Sequence, residues 1–431
     1  MSLLLGFVFF LIFLAIGIHV ASVMFIFGVV GGFFALGKAV VLDFGLQVWT
    51  FLNSFVMTSI PLFLLLGEFL LRSRITDSLY KSLSLWLARL PGGLLHTNIA
   101  ACAILAANSG SSVATAATIG TVAIPTFKAK GYNDRIVLGS IAAGGTLGIL
   151  IPPSINMIVY GSIIDASIGR LFMGGVIPGL ILAGLFSLVI AITAFVRPSY
   201  MGIPEPKTSF MEKVRTLPAF LPPFFIIVAI MGSIYLGWAT PTEAAALGVL
   251  AVFIIAVVNK RVSLHMLHDA FSSTVKTASM ILLIMVAAFY LNYVISILGW
   301  PQKLTAWFLG FKLSAFATLW VIVIFYLILG CFIETLAMMI TTIPLVVPVV
   351  TSIGYDPIWF GIFLVVLCEA SLVTPPVGMN LYVVQGIRTD KGPMKDIIIG
   401  MLPFLAMMVV LLALLIYFPI LALWLPGKMI G

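Results

Sequence analysis

The chain has 431 residues, 62% of them hydrophobic and only 8% charged, whereas about a quarter of the residues of an average soluble domain are charged. That balance excludes a soluble globular protein and describes a polytopic membrane protein, because several apolar runs reach the roughly 20 residues that span a bilayer core. The formal net charge of +8 does not point to nucleic acid: Lys and Arg stand in short clusters between apolar runs, where they set membrane orientation.

In chain order, the opening "MSLLLGFVFFLIFLAIGIHV" has no basic segment and no obvious small-residue cleavage site, so it reads as a retained first helix. Apolar runs place spans near 2–18, 20–37, 51–70, 134–150, 174–196, 217–237, 242–258, 276–298, 357–373 and 397–425. Two further segments, 97–126 and 315–350, are too long for one crossing and carry a polar or charged centre. The first holds Asn108, Ser109, Ser111, Ser112, Thr115, Thr118 and Thr121 in an otherwise apolar stretch; the second holds Glu334. At about 1.5 Å per residue, arms of roughly 12 to 18 residues end near the midplane of a ~30 Å core, so each segment is expected as a re-entrant hairpin. For the first, an ordinary helix lined by hydroxyls is the alternative. The runs "RSRITDSLYKSLSLWLARL" and "GWPQKLTAWFLGFKL" mix charge and aromatics with Leu at helical spacing, as helices lying in the membrane interface do.

An internal repeat decides for hairpins. Pro125 and Pro348, Gly131 and Gly354, Tyr132 and Tyr355, and the pairs Pro152-Pro153 and Pro375-Pro376 all stand 223 residues apart. The halves are a first repeat, 1–196, with hairpin 97–126 and broken helix 134–165, and a second, 217–431, with hairpin 315–350 and broken helix 357–387. A polar linker, 197–216, joins them. The loop "KAKGYNDR" after the first hairpin has three basic residues and its counterpart "TSIGYD" has none. By the positive-inside rule the first loop and the linker are cytoplasmic and the second loop is external, so the repeats are inverted. Inverted repeats with interrupted helices are the sequence mark of a secondary transporter with its site at the midplane.

A Pro-Pro pair removes donors and disfavours helix before it, so "GILIPPSIN" and "SLVTPPVGMN" are each expected as helix, unwound stretch and second helix. Free backbone groups at membrane depth are tolerated only in protein or around a wet cavity. Gly144, Gly145 and Gly148 permit close approach of the first tip to its break. Carbonyl and hydroxyl oxygens converging there suit a hard cation such as Na⁺. Two or more Na⁺ sites are expected: one from Ser109, Ser111, Ser112, Gly144, Gly145 and Pro152, another from Glu334, Thr335, Glu369 and Thr374. A carboxylate substrate between the tips would meet Asn108, Gly110, Ser154, Asn156, Gly378 and Asn380, with hairpin-helix N-termini attracting its charge. Because these ligands must stay together while access changes side, the hairpins and broken helices are expected to move as one body past a scaffold that includes spans 20–37 and 242–258, an elevator motion.

Other polar residues have plainer readings. Glu68 stands near a span end and snorkels; Glu243 follows Pro241 where a helix begins and caps it; Lys276 is an interface anchor or, alternatively, a partner for an anionic substrate. Cys102, Cys331 and Cys368 have no metal-type spacing and form no disulfide framework. There is no His-Glu-x-x-His pair and no Gly-x4-Gly-Lys-Ser/Thr loop, so neither enzyme chemistry nor ATP binding of those kinds is expected.

With "NSGSSVATAATIG", "GGTLGILIPPS", "TPTEAAALG", "GYDPIWFGI" and "LVTPPVGMNLYV" assembled, the chain resembles the large membrane subunit of tripartite ATP-independent periplasmic (TRAP) transporters of the dicarboxylate and sialic-acid type. The resemblance implies an all-α ion-transporter-superfamily fold in the bacterial inner membrane. It also implies Na⁺-coupled elevator import of a small organic acid anion. The implied partners are a small four-helix membrane subunit and a periplasmic substrate-binding protein, and the chain reads as the separate, unfused form. A stand-alone Na⁺/dicarboxylate symporter needing no binding protein is the alternative; a channel fits two hairpins closing on a midplane site less well.

Overall fold

The computed structural model describes residues 6, 9–10, 12–13, 16–73, 75–203, 208–331, 333–375, 378–390 and 392–429; the side chains of 75–77 and 107–109 also lie outside the description. Most of the expected first helix, 2–18, falls outside it. All regular structure among the described residues is helical. The principal helices of the first half are α1 Val20–Leu36, α2 Ser59–Arg72, α3 Ile75–Leu87, α4 Leu94–Ser109, α5 Ser112–Ala129, α6 Asp134–Leu150, α7 Ile155–Ile164 and α8 Ile168–Val196. Those of the second are α9 Leu221–Tyr235, α10 Pro241–Val258, α11 Leu264–Ile297, α12 Trp300–Gly310, α13 Ala315–Gly330, α14 Thr335–Ser352, α15 Pro357–Leu372, α16 Met379–Ile387 and α17 Met394–Tyr417. Among the described residues, eight helical segments are long and apolar enough to cross a membrane, and α1, α4, α13 and α15 add shorter apolar helices.

The helices begin where the sequence supplies caps. Ser111, Ser154, Ser167, Ser263 and Ser314 each accept a backbone N–H from the first turn of the helix they precede. Thr240 and Glu243 form a capping box at α10, which is the capping role expected of Glu243. The 223-residue offset between Pro125 and Pro348 maps α5 onto α14 at both ends, and carries α6, α7 and α12's counterpart α3 onto their partners within two residues or so.

Four elements differ from expectation. The span expected at 51–70 is interrupted: a helix Phe44–Leu52 stops at Asn53-Ser54, and a 3₁₀ turn, Phe55–Thr58, leads into α2. Asn and Ser compete with the helix for backbone hydrogen bonds, which a hydropathy window does not register. α8 starts six residues before the expected 174, and α11 twelve before the expected 276, because apolarity marks the buried length and not the helical length. α17 ends at Tyr417, short of 425, where Pro419 disfavours helix in Phe418 and a new short helix, Ile420–Leu423, begins.

α6 and α15 form the centre of the bundle, with every residue of α6 from Ile136 and of α15 from Ile358 buried to the helix end. Such helices are apolar all round. Small residues let neighbours approach: a Cβ on Gly139 would collide with the Gly400 carbonyl oxygen of α17, and one on Gly144 would lie 2.7 Å from Cys102 Sγ of α4. A second group packs beside this centre, with α1 against α11 through Gly28 and Tyr290, and α2 against α10 through Leu66 and Gly248.

One end of the molecule gathers the basic loops. Ile203 N–H donates to the Lys130 carbonyl at 2.8 Å, Arg89 to the Thr208 carbonyl at 3.2 Å, and Lys213 lies over the Trp86 ring. There Arg388, its side chain 4% exposed, binds Asp390 and Asp396 and reaches Asp134 at 3.8 Å, while Arg135 pairs with Asp396 at 3.0 Å. At the other end Asp356 caps α15, and Tyr160 Oη donates to the Pro357 carbonyl at 2.7 Å.

Candidate functional site

The first hairpin turns at Gly110, which adopts φ +60° and so closes α4 in the left-handed region that glycine enters without strain. The turn lies on the break between α6 and α7. A Cβ on Gly110 would sit 3.1 Å from the Pro153 carbonyl oxygen, and one on Gly148 would sit 2.8 Å from the backbone of Ser111 and Ser112. A Cβ on Gly145 would likewise sit 2.6 Å from Ala116 Cβ. Ser112 Oγ donates to the Thr146 carbonyl at 3.2 Å, and Thr115 Oγ1 to the Ser111 carbonyl at 2.8 Å. Ser154 Oγ donates to the Ile149 carbonyl at 2.5 Å and caps α7. The expected juxtaposition of tip, glycines and double-proline break is therefore present.

The second hairpin meets its own break in the same way. Cys331 Sγ lies 3.1 Å from the Pro375 carbonyl oxygen, and Gly330 abuts Ser371. Glu334 caps α14, accepting from the amides of Leu336 at 3.0 Å and Ala337 at 3.1 Å. Thr374 Oγ1 donates to the Ala370 carbonyl at 2.7 Å. Glu369 is fully buried with neither carboxylate oxygen in hydrogen-bond geometry, although the Leu150 amide of the first break lies close enough to interact with it. Across the halves, Asn156 Nδ2 lies 3.3 Å from Met339 Sδ.

Both tips open on one cavity of about 510 Å³. Its wall on the hairpin side includes Gly110, Ser111, Ser112, Asn156, Glu334, Thr335 and Met379; the opposite wall is Leu64, Gly67, Glu68 and Leu71 of α2 with Thr277, Met280 and Ile281 of α11. The first residues of α5, α7, α14 and α16, namely Ser112, Ile155, Thr335 and Met379, all line it. Four helix N-termini thus face a mostly apolar chamber with a few placed polar groups, the character of a small-molecule site that receives negative charge.

The remaining expected residues surround the cavity without lining it. Gly145 packs against Ala116 and the Ser112 carbonyl of α5, Gly144 faces Cys102 of α4, and Pro152 stands in the break itself; Glu369 and Thr374 belong to the second break. Gly378, at φ +28°, precedes α16. Asn380 turns away from the cavity, its Nδ2 3.4 Å from the Ala142 carbonyl and its Oδ1 buried without a partner. The side chains of Asn108 and Ser109 lie outside the described residues, their backbone in the last turn of α4. Lys276 is exposed and Thr277 takes its place at the wall. Glu68, read from sequence as a snorkelling end residue, is part of the cavity wall: Ser273 Oγ donates to its Oε1 at 2.5 Å and Arg72 Nε to its Oε2 at 3.1 Å. Its helical spacing from Leu64 and Leu71 was the available signal.

Residues 7–421 match the family model of the tripartite ATP-independent periplasmic transporter, DctM component. The chain is 33% identical to the C4-dicarboxylate TRAP transporter large permease protein DctM of Rhodobacter capsulatus, over 94% of this chain and 99% of that one. It is 32% identical to the sialic acid TRAP transporter large permease protein SiaM of Vibrio cholerae, over 88% of each. In fold it is similar to the Alcanivorax borkumensis YdaH transporter, whose crystal structure superposes with a TM-score of 0.62 at 15% identity, covering 91% of this chain and 90% of that one.

Proposed function

The chain belongs to the family of DctM components, the large membrane subunits of tripartite ATP-independent periplasmic transporters, and from that premise we propose that it imports a small organic acid anion by Na⁺-coupled secondary transport. It is a multi-pass protein of the bacterial inner membrane. The anion is handed over by a periplasmic substrate-binding protein, and the chain works beside a small four-helix membrane subunit, without ATP.

The observation that carries this reading is the convergence of two hairpin tips, two helix breaks and four helix N-termini on one 510 Å³ cavity. Na⁺ is held where carbonyl and hydroxyl oxygens of a tip meet a break: Ser109, Ser111, Ser112, Gly144, Gly145 and Pro152 in the first half; Glu334, Thr335, Glu369 and Thr374 in the second. The tight Gly148–Ser111 contact and the fully buried Glu369 carboxylate, which accepts no well-formed hydrogen bond and has no positive side chain paired with it among the described residues, support these two places, since a buried carboxylate calls for a cation. The chemistry Na⁺ supplies is charge compensation at membrane depth. Asn108, Gly110, Ser154, Asn156, Gly378 and Asn380 are the proposed substrate side of the tips; of these Gly110 and Asn156 line the cavity directly.

Two inverted repeats, 1–196 and 217–431, with a cytoplasmic linker are part of the proposal. The unit α4–α7 with α13–α16 moves as one body past α1, α2, α10 and α11. The cavity lies at the last turns of α2, on the side of Arg72, which supports reading this arrangement as the site lowered towards the cytoplasm. Uptake by proteoliposomes containing the chain and the small subunit, given each candidate binding protein under an imposed Na⁺ gradient, tests the reading. Accumulation that needs both the binding protein and inward-directed Na⁺ is expected. Equal uptake without any binding protein would instead support the stand-alone symporter.

A further inference from the structure

Resting on that reading, we infer that the cavity selects a monocarboxylate bearing hydroxyl or ammonium donors at its far end, and disfavours dicarboxylates, with Glu68 as the selecting group. Among the described residues, the charged side chains lining the cavity are two carboxylates, Glu68 and Glu334, and no Lys or Arg lines it. Among the chain's own groups lining the cavity, positive potential therefore comes from helix N-termini, all on the hairpin side where the proposed Na⁺ sites also lie, and the wall formed by α2 and α11 has none. The N-terminus of α14 is already engaged, because Glu334 folds back onto its Leu336 and Ala337 amides. The starts of α5 and α7 carry only neutral serine caps and that of α16 has no side-chain cap, so their positive ends are uncompensated and can serve one carboxylate.

Opposite them stands Glu68. It is fixed from two sides, by the Ser273 hydroxyl of α11 and the Arg72 guanidinium one turn along α2. Arg72 is shared with Asp269 at 3.4 Å, so one guanidinium serves two carboxylates and the cluster stays net negative. The exposed His265 and His268 rings reach Asp269 from the solvent side, each at 3.5 Å. A ligand's second carboxylate would lie against Glu68 in a low-dielectric chamber with no lining cation to pair with. Like charges so placed repel, and this is how a site rejects a competitor it could otherwise contain. A hydroxyl or ammonium group in that position donates to Glu68 instead, and a carboxylate acceptor makes that hydrogen bond a strong one.

The test measures dissociation constants of the purified full chain at pH 8 in NaCl for two groups of probes: succinate and fumarate, against gluconate, N-acetylneuraminate and ectoine. At least one donor-bearing monocarboxylate is expected to bind roughly ten-fold or more tightly than either dicarboxylate. Glu68→Gln is expected to shrink that ratio by strengthening succinate, and Glu68→Asp to keep its direction; retention time on size exclusion confirms that both variants fold. Dicarboxylates binding as tightly as the other group, or a ratio unmoved by Glu68→Gln, would overturn this inference while leaving organic-anion transport standing. Binding of none of the probes would overturn the parent reading as well.

Discussion

The Arg135 guanidinium of α6 lies 3.0 Å from the Asp396 carboxylate of α17, and Arg388 binds that same carboxylate at 3.4 Å, so three segments from both halves close on one point. The helices below are equally close, with Gly139 on Gly400. Residues far apart in sequence are thus fastened at the end of the molecule that carries the basic loops.

Arg388 is the centre of that fastening. Removing it by Arg388→Ala strands Asp390, 29% exposed, and leaves Asp396, 19% exposed, with Arg135 alone. The expected loss is about 2 to 3 kcal/mol, below the ~3–5 kcal/mol for breaking a fully buried pair because the acids keep some water. The Arg388 guanidinium holds the Asp390 carboxyl below its ordinary value of 3.8. A depressed carboxyl contributes stability that is present above its ordinary value and disappears as pH falls below it. Thermal scans in detergent should therefore show the wild type losing its advantage over Arg388→Ala as pH drops below 3.8.

Gly148→Ala adds a methyl group 2.8 Å from the Ser111 and Ser112 backbone, which has no flexible end to give way. The first tip must then leave its break, at a cost of about 1 to 3 kcal/mol, and Na⁺-dependent uptake should fall sharply. Gly184→Ala, where nothing lies within 4 Å, is the control and should transport normally. Equal uptake by the two variants would show that the tip contact is dispensable.

Much of this site was readable from sequence because prolines, glycines and caps act locally. Pro152-Pro153 disfavours continuation of α6, Ser111 and Ser154 cap α5 and α7, and one repeat offset relates the two breaks. Side-chain orientation escaped. Successive residues on a helix point about 100° apart, so Met379 faces the cavity while Asn380 faces Ala142, and no composition rule separates them. Glu68 escaped for the same reason: distance from a span end says nothing about which wall a side chain joins. Asn53-Ser54 and the polar first turns of α11 were missed because hydropathy measures burial in lipid rather than helix.

Topology is open to direct labelling. Single cysteines replacing Lys130 and Asp356 in a chain cleared of its native cysteines should react with an impermeant maleimide from opposite sides of the membrane, Lys130 from the cytoplasm. Reaction of both from one side would contradict the inverted arrangement.

Motion has its own test. Paired cysteines at Leu71 of α2 and Ala117 of α5, which both line the cavity, should abolish uptake when crosslinked by a spacer-matched reagent. A crosslink within the moving unit, between cysteines replacing Tyr326 of α13 and Thr342 of α14, whose hydroxyls meet at 2.5 Å, should leave uptake near the level of the uncrosslinked pair. Full activity with the first crosslink complete would contradict an elevator.

The central claim is that the hydroxyl-bearing tips hold the coupling ion, and the Na⁺ dependence of uptake in Ser111→Ala tests it most directly. Losing one ligand where its neighbours stay buried costs on the order of 1 to 3 kcal/mol. The Na⁺ concentration for half-maximal uptake should then rise roughly ten-fold or more, with expression and assembly unchanged, and Glu334→Gln should act in the same direction. An unaltered Na⁺ dependence in Ser109→Ala, Ser111→Ala and Glu334→Gln alike would mean that the polar tips serve only to pack helices.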